Sequence, residues 1–163
     1  MYHAPRSCDN EPEEAIEKSA ESSRTTHGAP ACLDACRYLA ALLIGALSGS
    51  SKEEILSPRY TPVPGFWDRR PLISEIDEIV CGSFKRKKPP EIQGTGYVVR
   101  SLEAAVWSFY KTDSFEAAIF KAANLGDDAD TTAESGIPKK WLERLAMRQE
   151  ILPLADRLFE ANQ

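Results

Sequence analysis

Asp127, Asp128 and Asp130 place three carboxylates within four residues, and Thr131 and Thr132 follow at once. Such groups repel one another, and these come just past an expected helix end, where the macrodipole also disfavours negative charge. A cation beside them would relieve both. In a turning or extended backbone Asp128 and Asp130 can face one hard cation, with the Thr131 hydroxyl as a third oxygen. Hard oxygens with water completing the shell suit Mg²⁺ or Mn²⁺. A Ca²⁺ loop of the EF-hand kind does not fit. Counting from Asp128, Ala133 stands where the sixth position requires Gly, and Lys139 where the twelfth requires Glu. The same residues also read as an Asx-rich loop of caps and turns, and spacing alone leaves the two readings evenly matched.

The elements that must position these residues are helices. Asn10, Glu11, Pro12 and Glu13 read as an N-cap and acidic first turn, predicting a helix through Ile16 and Ala20 to about Ser22. Pro30 opens a second helix that stops at Gly49. Its Leu33, Leu39, Leu42, Leu43, Ala46 and Leu47 cover so much of the circumference that it is expected inside the fold. Ser51 and Glu54 have capping-box spacing for a short helix to about Leu56. Pro58, Pro62, Pro64 and Gly65 then make residues 57–71 an expected exposed, irregular loop in spite of Phe66 and Trp67. Ile73, Ile76 and Val80 predict a helix ending near Gly82. The run Lys85, Arg86, Lys87 and Lys88 before Pro89-Pro90 reads as a solvated loop whose cations complement that helix end, in preference to a phosphate site.

Leu102, Ala105, Val106 and Phe109 form the next stripe. Asp113 and Glu116 have the spacing of a second capping box, and Phe115, Ala118, Ile119 and Ala122 carry a helix to its stop at Gly126. Ile151, Leu154, Ala155, Leu158 and Phe159 predict a terminal helix with Pro153 in its first turn. Nothing alternates with period two and no repeat recurs, so the expected fold class is all-α, one domain over residues 1–163.

Composition narrows the function classes. Twenty Lys plus Arg against 25 Asp plus Glu give a net charge of −5, which disfavours nucleic-acid binding driven by bulk charge. The longest uninterrupted apolar run, Tyr38 to Leu47, is well short of the about 20 residues a bilayer span needs. The acidic N-terminal stretch lacks the apolar core of a secretion signal, so no membrane association and a cytoplasmic location are expected. Cys8, Cys32, Cys36 and Cys81 then read as free thiols. Cys32 and Cys36 are one helical turn apart, and with no Cys-x-x-Cys pair a zinc site is disfavoured.

Two separate stretches add a resemblance. Gly94-Thr95-Gly96-Tyr97, then Ser101-Leu102-Glu103-Ala104-Ala105, then Asn124-Leu125-Gly126-Asp127-Asp128-Ala129-Asp130-Thr131-Thr132, together resemble the C-terminal half of the ADP-ribosylglycohydrolase family. Ser22-Ser23-Arg24-Thr25-Thr26-His27-Gly28-Ala29-Pro30 resembles the family's His-containing turn before its central buried helix. The likeness runs from about Glu11 onward. It implies an orthogonal multi-helix hydrolase with two Mg²⁺ ions, or Mn²⁺ in their place, at the base of a cleft beside the distal ribose. Its reaction would release ADP-ribose from a modified side chain or a small acceptor, so the implied partner is ADP-ribose or an ADP-ribosylated protein.

By motif position the resemblance makes Asp128, Asp130 and Thr131 metal ligands, with Asp127 beside them and one step removed from the ions. His27 would line the ligand pocket, while Gly94, Gly96 and Tyr97 would supply close backbone approach and a stacking face. By residue type alone His27 also reads as a structural ring capping the helix that follows. The family's upstream Gly-Asp segment and Thr-Asp-Asp-Thr-type cluster have no counterpart here, so no catalytic acid or base is assigned. Residues 1–10 read as an atypical leader. Glu134-Ser135-Gly136-Ile137-Pro138 stand where the family continues into a Gly- and Ala-rich helix. The expectation is an incomplete domain, impaired in turnover, whose cleft a second chain would complete. The alternative is an inactive remnant that binds ADP-ribose or a protein.

Overall fold

A computed structural model of the chain describes residues 11–125, and within them every regular element is a helix. In order these are α1 (Glu11–Ser23), α2 (Pro30–Leu47), α3 (Lys52–Ile55), α4 (Phe66–Arg69), α5 (Ser74–Val80), a 3₁₀ turn (Ser83–Lys85), α6 (Val98–Tyr110) and α7 (Phe115–Ala123). The expected N-cap Asn10 and the expected helix around Ile151 to Phe159 lie outside the described residues.

Glu11, Glu13 and Glu14 fill the first turn of α1, where carboxylates oppose the positive end of the helix dipole. Ile16 and Ala20, one turn apart, turn inward onto α2. The Ser19 hydroxyl donates to the Cys36 carbonyl at 3.0 Å, fixing the two helices in register. Pro30 sits in the first turn of α2, where its missing N–H costs nothing. At the far end Gly49 adopts φ +86°, and the bonds Ser50 N–H to Gly45 O (3.0 Å) and Gly49 N–H to Ala46 O (3.1 Å) make a Schellman stop.

The second helix is central among the described residues, packing against α1, α3, α5 and α6, which do not enclose it. Leu33, Ala35, Tyr38, Ala41 and Leu42 are buried, while Leu39, Leu43 and Leu47 keep 46%, 54% and 74% of their surface exposed. Apolarity around the circumference was expected to bury the whole helix. Burial also needs a neighbour on each side, and the four packed helices leave this face open. By length and composition alone α2 could cross a membrane. Within the described fold it serves as the core helix, with Asp34 held inside by ion pairing to Arg37.

Three further expectations are corrected. Residues 57–71 are not simply an exposed loop. Gly65 caps α4, Phe66 (0% exposed) and Trp67 (3%) enter the core edge to face at 4.9 Å, and the indole N–H donates to Tyr60 O at 2.9 Å. Proline interrupts helix hydrogen bonding but does not keep two large aromatic side chains out of an apolar interior. The cap of α7 is Ser114, whose hydroxyl accepts from Ala117 N–H, while Asp113 is exposed and pairs with Lys52 at 3.7 Å. The Ser51–Glu54 capping box forms as expected. On α6, Val99, Leu102, Glu103, Val106 and Trp107 face inward with helical period, and Ala105, expected in that stripe, is exposed.

Candidate functional site

The turn joining α1 to α2 presents His27. Its backbone is held by His27 N–H to Ser23 O (2.7 Å) and by the Ser23 hydroxyl donating to His27 O (2.9 Å). The ring is exposed, with Nδ1 3.0 Å from the Thr26 hydroxyl oxygen. It does not cap α2, whose N-cap is Ala29 without a side-chain hydrogen bond. The capping reading of His27 is thus not realised, and an imidazole able to donate and accept stands in solvent at the start of the core helix.

Gly94, Thr95, Gly96 and Tyr97 form one loop leading into α6. The Ser101 hydroxyl donates to the Thr95 carbonyl and is 3.3 Å from the Tyr97 carbonyl, and Tyr97 N–H donates to the Thr95 hydroxyl at 3.3 Å. These bonds fold the loop back on the first turn of α6. Gly94 is buried beneath it, Gly96 is exposed, and Tyr97 leaves 51% of its surface open, so its ring has a free face. An open polar groove of about 320 Å³ borders the loop, lined by Lys87, Pro90, Glu91, Gln93 and Arg100. The loop residues are thus brought together, whereas His27 is carried by a separate turn.

Beneath the groove lies a carboxylate that sequence reasoning missed. Glu103 is 3% exposed and takes Lys87 Nζ at 2.5 Å and the Ser83 hydroxyl at 3.1 Å on the same oxygen, with Arg100 3.9 Å from the other. This corrects the reading of Lys85 to Lys88 as uniformly solvated, because Lys87 turns inward to neutralise a buried charge. The signal was present in part: Glu103 falls on the apolar stripe of Leu102 and Val106, where a lone carboxylate needs a cation. A second such group is Asp34, which bonds Arg37 at 2.7 Å and accepts the Ile73 N–H at 2.8 Å. Both carboxylates hold helices together. Tyr38 is buried as well, and that burial, with Cys81 adding a smaller contribution, pushes its phenol well above the ordinary range.

The acidic motif Asp127, Asp128, Asp130 and Thr131 lies outside the described residues. The chain reaches it from α7, whose last turn is closed by Asn124 N–H to Phe120 O and Leu125 N–H to Ala122 O, both within 3.2 Å. Among the described residues no three His, Cys, Asp or Glu side chains converge as a metal site, and Cys32, Cys36 and Cys81 are free thiols. The donor set of the motif, two carboxylates and a hydroxyl, is all hard oxygen and fits Mg²⁺ or Mn²⁺ by its chemistry.

The family model described as ADP-ribosylglycohydrolase matches residues 1–163. The chain is similar to the ADP-ribosylarginine hydrolase Tri1 of Serratia proteamaculans, at 40% identity over 153 residues covering 86% of this chain and 39% of that protein. Tri1 of Pseudomonas putida is 38% identical over 155 residues, covering 88% of this chain and 39% of its own length. A solved structure described as an ADP-ribosylglycohydrolase-related protein complex superposes with a TM-score of 0.65 at 32% identity, covering 95% of this chain and 56% of that one. The chain therefore spans about two-fifths of the length of these curated relatives. With the family model matching all of residues 1–163 and a relative 40% identical over 86% of this chain, the chain belongs to the ADP-ribosylglycohydrolase family.

Proposed function

We propose that this chain carries the metal-ligating motif and part of the ligand cleft of a hydrolase that releases ADP-ribose from modified arginine side chains. The observation that carries this reading is the 40% identity to the Serratia ADP-ribosylarginine hydrolase across most of the chain. Asp128, Asp130 and Thr131 would hold Mg²⁺, with Asp127 beside them, and a second ion would belong to the complete cleft. When bound, such an ion orients ribose hydroxyls and polarises water.

The chain's own residues have separable roles in this proposal. Tyr97 offers a flat, half-open ring against which a sugar or base can lie. Gly94 and Gly96 keep that loop free of side chains. His27 supplies exposed ring nitrogens that can hydrogen-bond a ribose hydroxyl or phosphate oxygen. The free thiols accord with work in a reducing cytoplasm.

The test is release of ADP-ribose from ADP-ribosyl-agmatine by the purified chain with Mg²⁺, beside thermal unfolding with ADP-ribose and Mg²⁺. Stabilisation by ADP-ribose with Mg²⁺ that is lost in Asp128→Ala is the expected result, with turnover weak because this chain holds only part of the cleft. Ligand at about 100 times its dissociation constant should stabilise the wild type by about 2.7 kcal/mol and leave Asp128→Ala unmoved. Stabilisation without turnover would refute activity in this chain and leave ADP-ribose binding. No turnover and no stabilisation would refute the reading altogether.

A further inference from the structure

Ion pairing is widespread on this acidic protein, and its exceptions are concentrated. Lys18, Arg37, Lys52, Arg59, Arg69, Arg70, Lys87 and Arg100 each face a carboxylate. Arg24, Lys85, Arg86, Lys88, Lys111 and Lys121 form no ion pair among the described residues. All of these but Arg24 collect around one end of α6. Lys85 Nζ lies 5.6 Å from the Tyr110 ring centre and Lys111 Nζ 4.8 Å from the same ring, while Lys121 Nζ lies 5.4 Å from the Trp107 ring. Trp107 and Tyr110 are one turn apart on α6, so cations from the 3₁₀ turn, the end of α6 and α7 converge on a single aromatic ladder.

The corner is also held rigidly. The Trp107 indole N–H donates to Lys87 O at 3.1 Å, and Phe84 packs edge to face on Tyr110 at 5.8 Å. Ser83 and Lys87 both bond Glu103, which turns the nearest carboxylate inward. The basic segment is therefore clamped to α6, with Arg86 and Lys88 exposed and Lys85 half-buried against the rings. Cations at helix C-termini offset the dipole, but that role is met by one cation per helix. It does not require three elements to gather theirs on one face, without a carboxylate partner among the described residues.

We propose that this corner, formed by Lys85, Arg86, Lys88, Lys111 and Lys121, is a docking surface for an acidic segment of a protein partner. Like charges held within about one Debye length, about 8 Å at physiological ionic strength, reinforce one another toward an anionic partner. Protein fits better than nucleic acid on two grounds. The net charge of −5 repels a long polyanion beyond the patch. The rings of Tyr110 and Trp107 already carry ammonium groups, which leaves less aromatic face for stacked bases. The surface does not depend on the hydrolase reading.

The experiment titrates the full chain into a fluorescein-labelled oligoglutamate peptide, with an oligothymidine of equal charge in parallel, and reads anisotropy across salt concentrations. Salt-sensitive binding of oligoglutamate is expected, weakened about tenfold or more in Lys85→Glu/Lys111→Glu and retained in Arg24→Glu. Lys85→Gln/Lys111→Gln decides the matter if the charge reversal unfolds the chain, as judged by thermal melting. Absence of binding, equal binding by the glutamine variant, or equal loss in Arg24→Glu would overturn the proposal. Tighter binding of oligothymidine would overturn it in favour of nucleic acid. A glutamine variant that loses stability but not affinity would reduce the cations to helix-end compensation.

Discussion

Replacing Asp34 tests how the two halves of the described core are joined. Asp34 sits on α2 with 5% of its surface exposed, and its two oxygens work in different directions. One accepts Arg37 Nη1 at 2.7 Å, tying in the Glu17 carboxylate that Arg37 also reaches at 3.1 Å. The other accepts Ile73 N–H at 2.8 Å, at the N-cap residue of α5, which has no side-chain cap of its own. Asp34→Ala leaves that N–H unmet, at about 1–3 kcal/mol, and removes one partner of a buried ion pair. Arg37 keeps Glu17 and is 20% exposed, so the full cost of breaking a buried pair, about 3–5 kcal/mol, is not reached. The expected total is about 3 kcal/mol.

Asp34→Asn retains an acceptor for Ile73 and loses only the charge, for an expected cost of about 1 kcal/mol. Urea unfolding followed by circular dichroism measures both. With a slope of about 2 kcal/mol per molar, Asp34→Ala should lower the midpoint by about 1.5 M and Asp34→Asn by about 0.5 M. Combined with Arg37→Ala, Asp34→Ala should be non-additive by about 1 kcal/mol. An Asp34→Ala protein within about 0.5 kcal/mol of wild type would refute the argument that this carboxylate couples α2 to α5.

Other consequences concern single contacts. A methyl group at Gly45 would lie 2.1 Å from the Tyr60 hydroxyl oxygen and 2.7 Å from the ring carbon that bears it. Gly45→Ala, which in a free helix gains about 1 kcal/mol, should here cost about 1–3 kcal/mol, and Tyr60→Ala should recover much of that loss in thermal unfolding. A more stable Gly45→Ala protein would contradict this packing. Buried Tyr38 keeps its proton above its ordinary pKa of 10.0, whereas the unfolded chain releases it there. Stability from this residue is thus intact below pH 10 and falls above it, by up to about 1.4 kcal/mol per pH unit. Urea midpoints measured on either side of pH 10 should converge in Tyr38→Phe, and an unchanged slope would place the alkaline loss elsewhere.

Legibility followed the range of the interactions. The boundaries of α2, the Ser51–Glu54 capping box and the stop at Gly49 depend on residues within one or two turns, so spacing alone located them. The second cap was misplaced by one residue because Asp113 and Ser114 both suit the position. Only the backbone of the turn selects the hydroxyl that reaches Ala117 N–H. For the candidate site, the motif spacing and family pattern were readable, and the placement of His27 and Tyr97 on separate elements was not.

By itself the sequence determined the all-α class, the order of the described α-helices other than α4 and the family whose motifs it carries. Periodicity and capping are local, and motif residues keep their spacing whatever surrounds them. Tertiary structure alone decided which apolar face of α2 meets a neighbour, why Phe66 and Trp67 are buried within a proline-rich stretch, and why Lys87 meets a buried carboxylate while Lys85 and Lys111 stand over Tyr110. The lysine placements depend on partners distant in sequence, Glu103 for Lys87 and Tyr110 for Lys85. Charge and apolarity are properties of a residue, but burial and pairing belong to the contacts that folding creates.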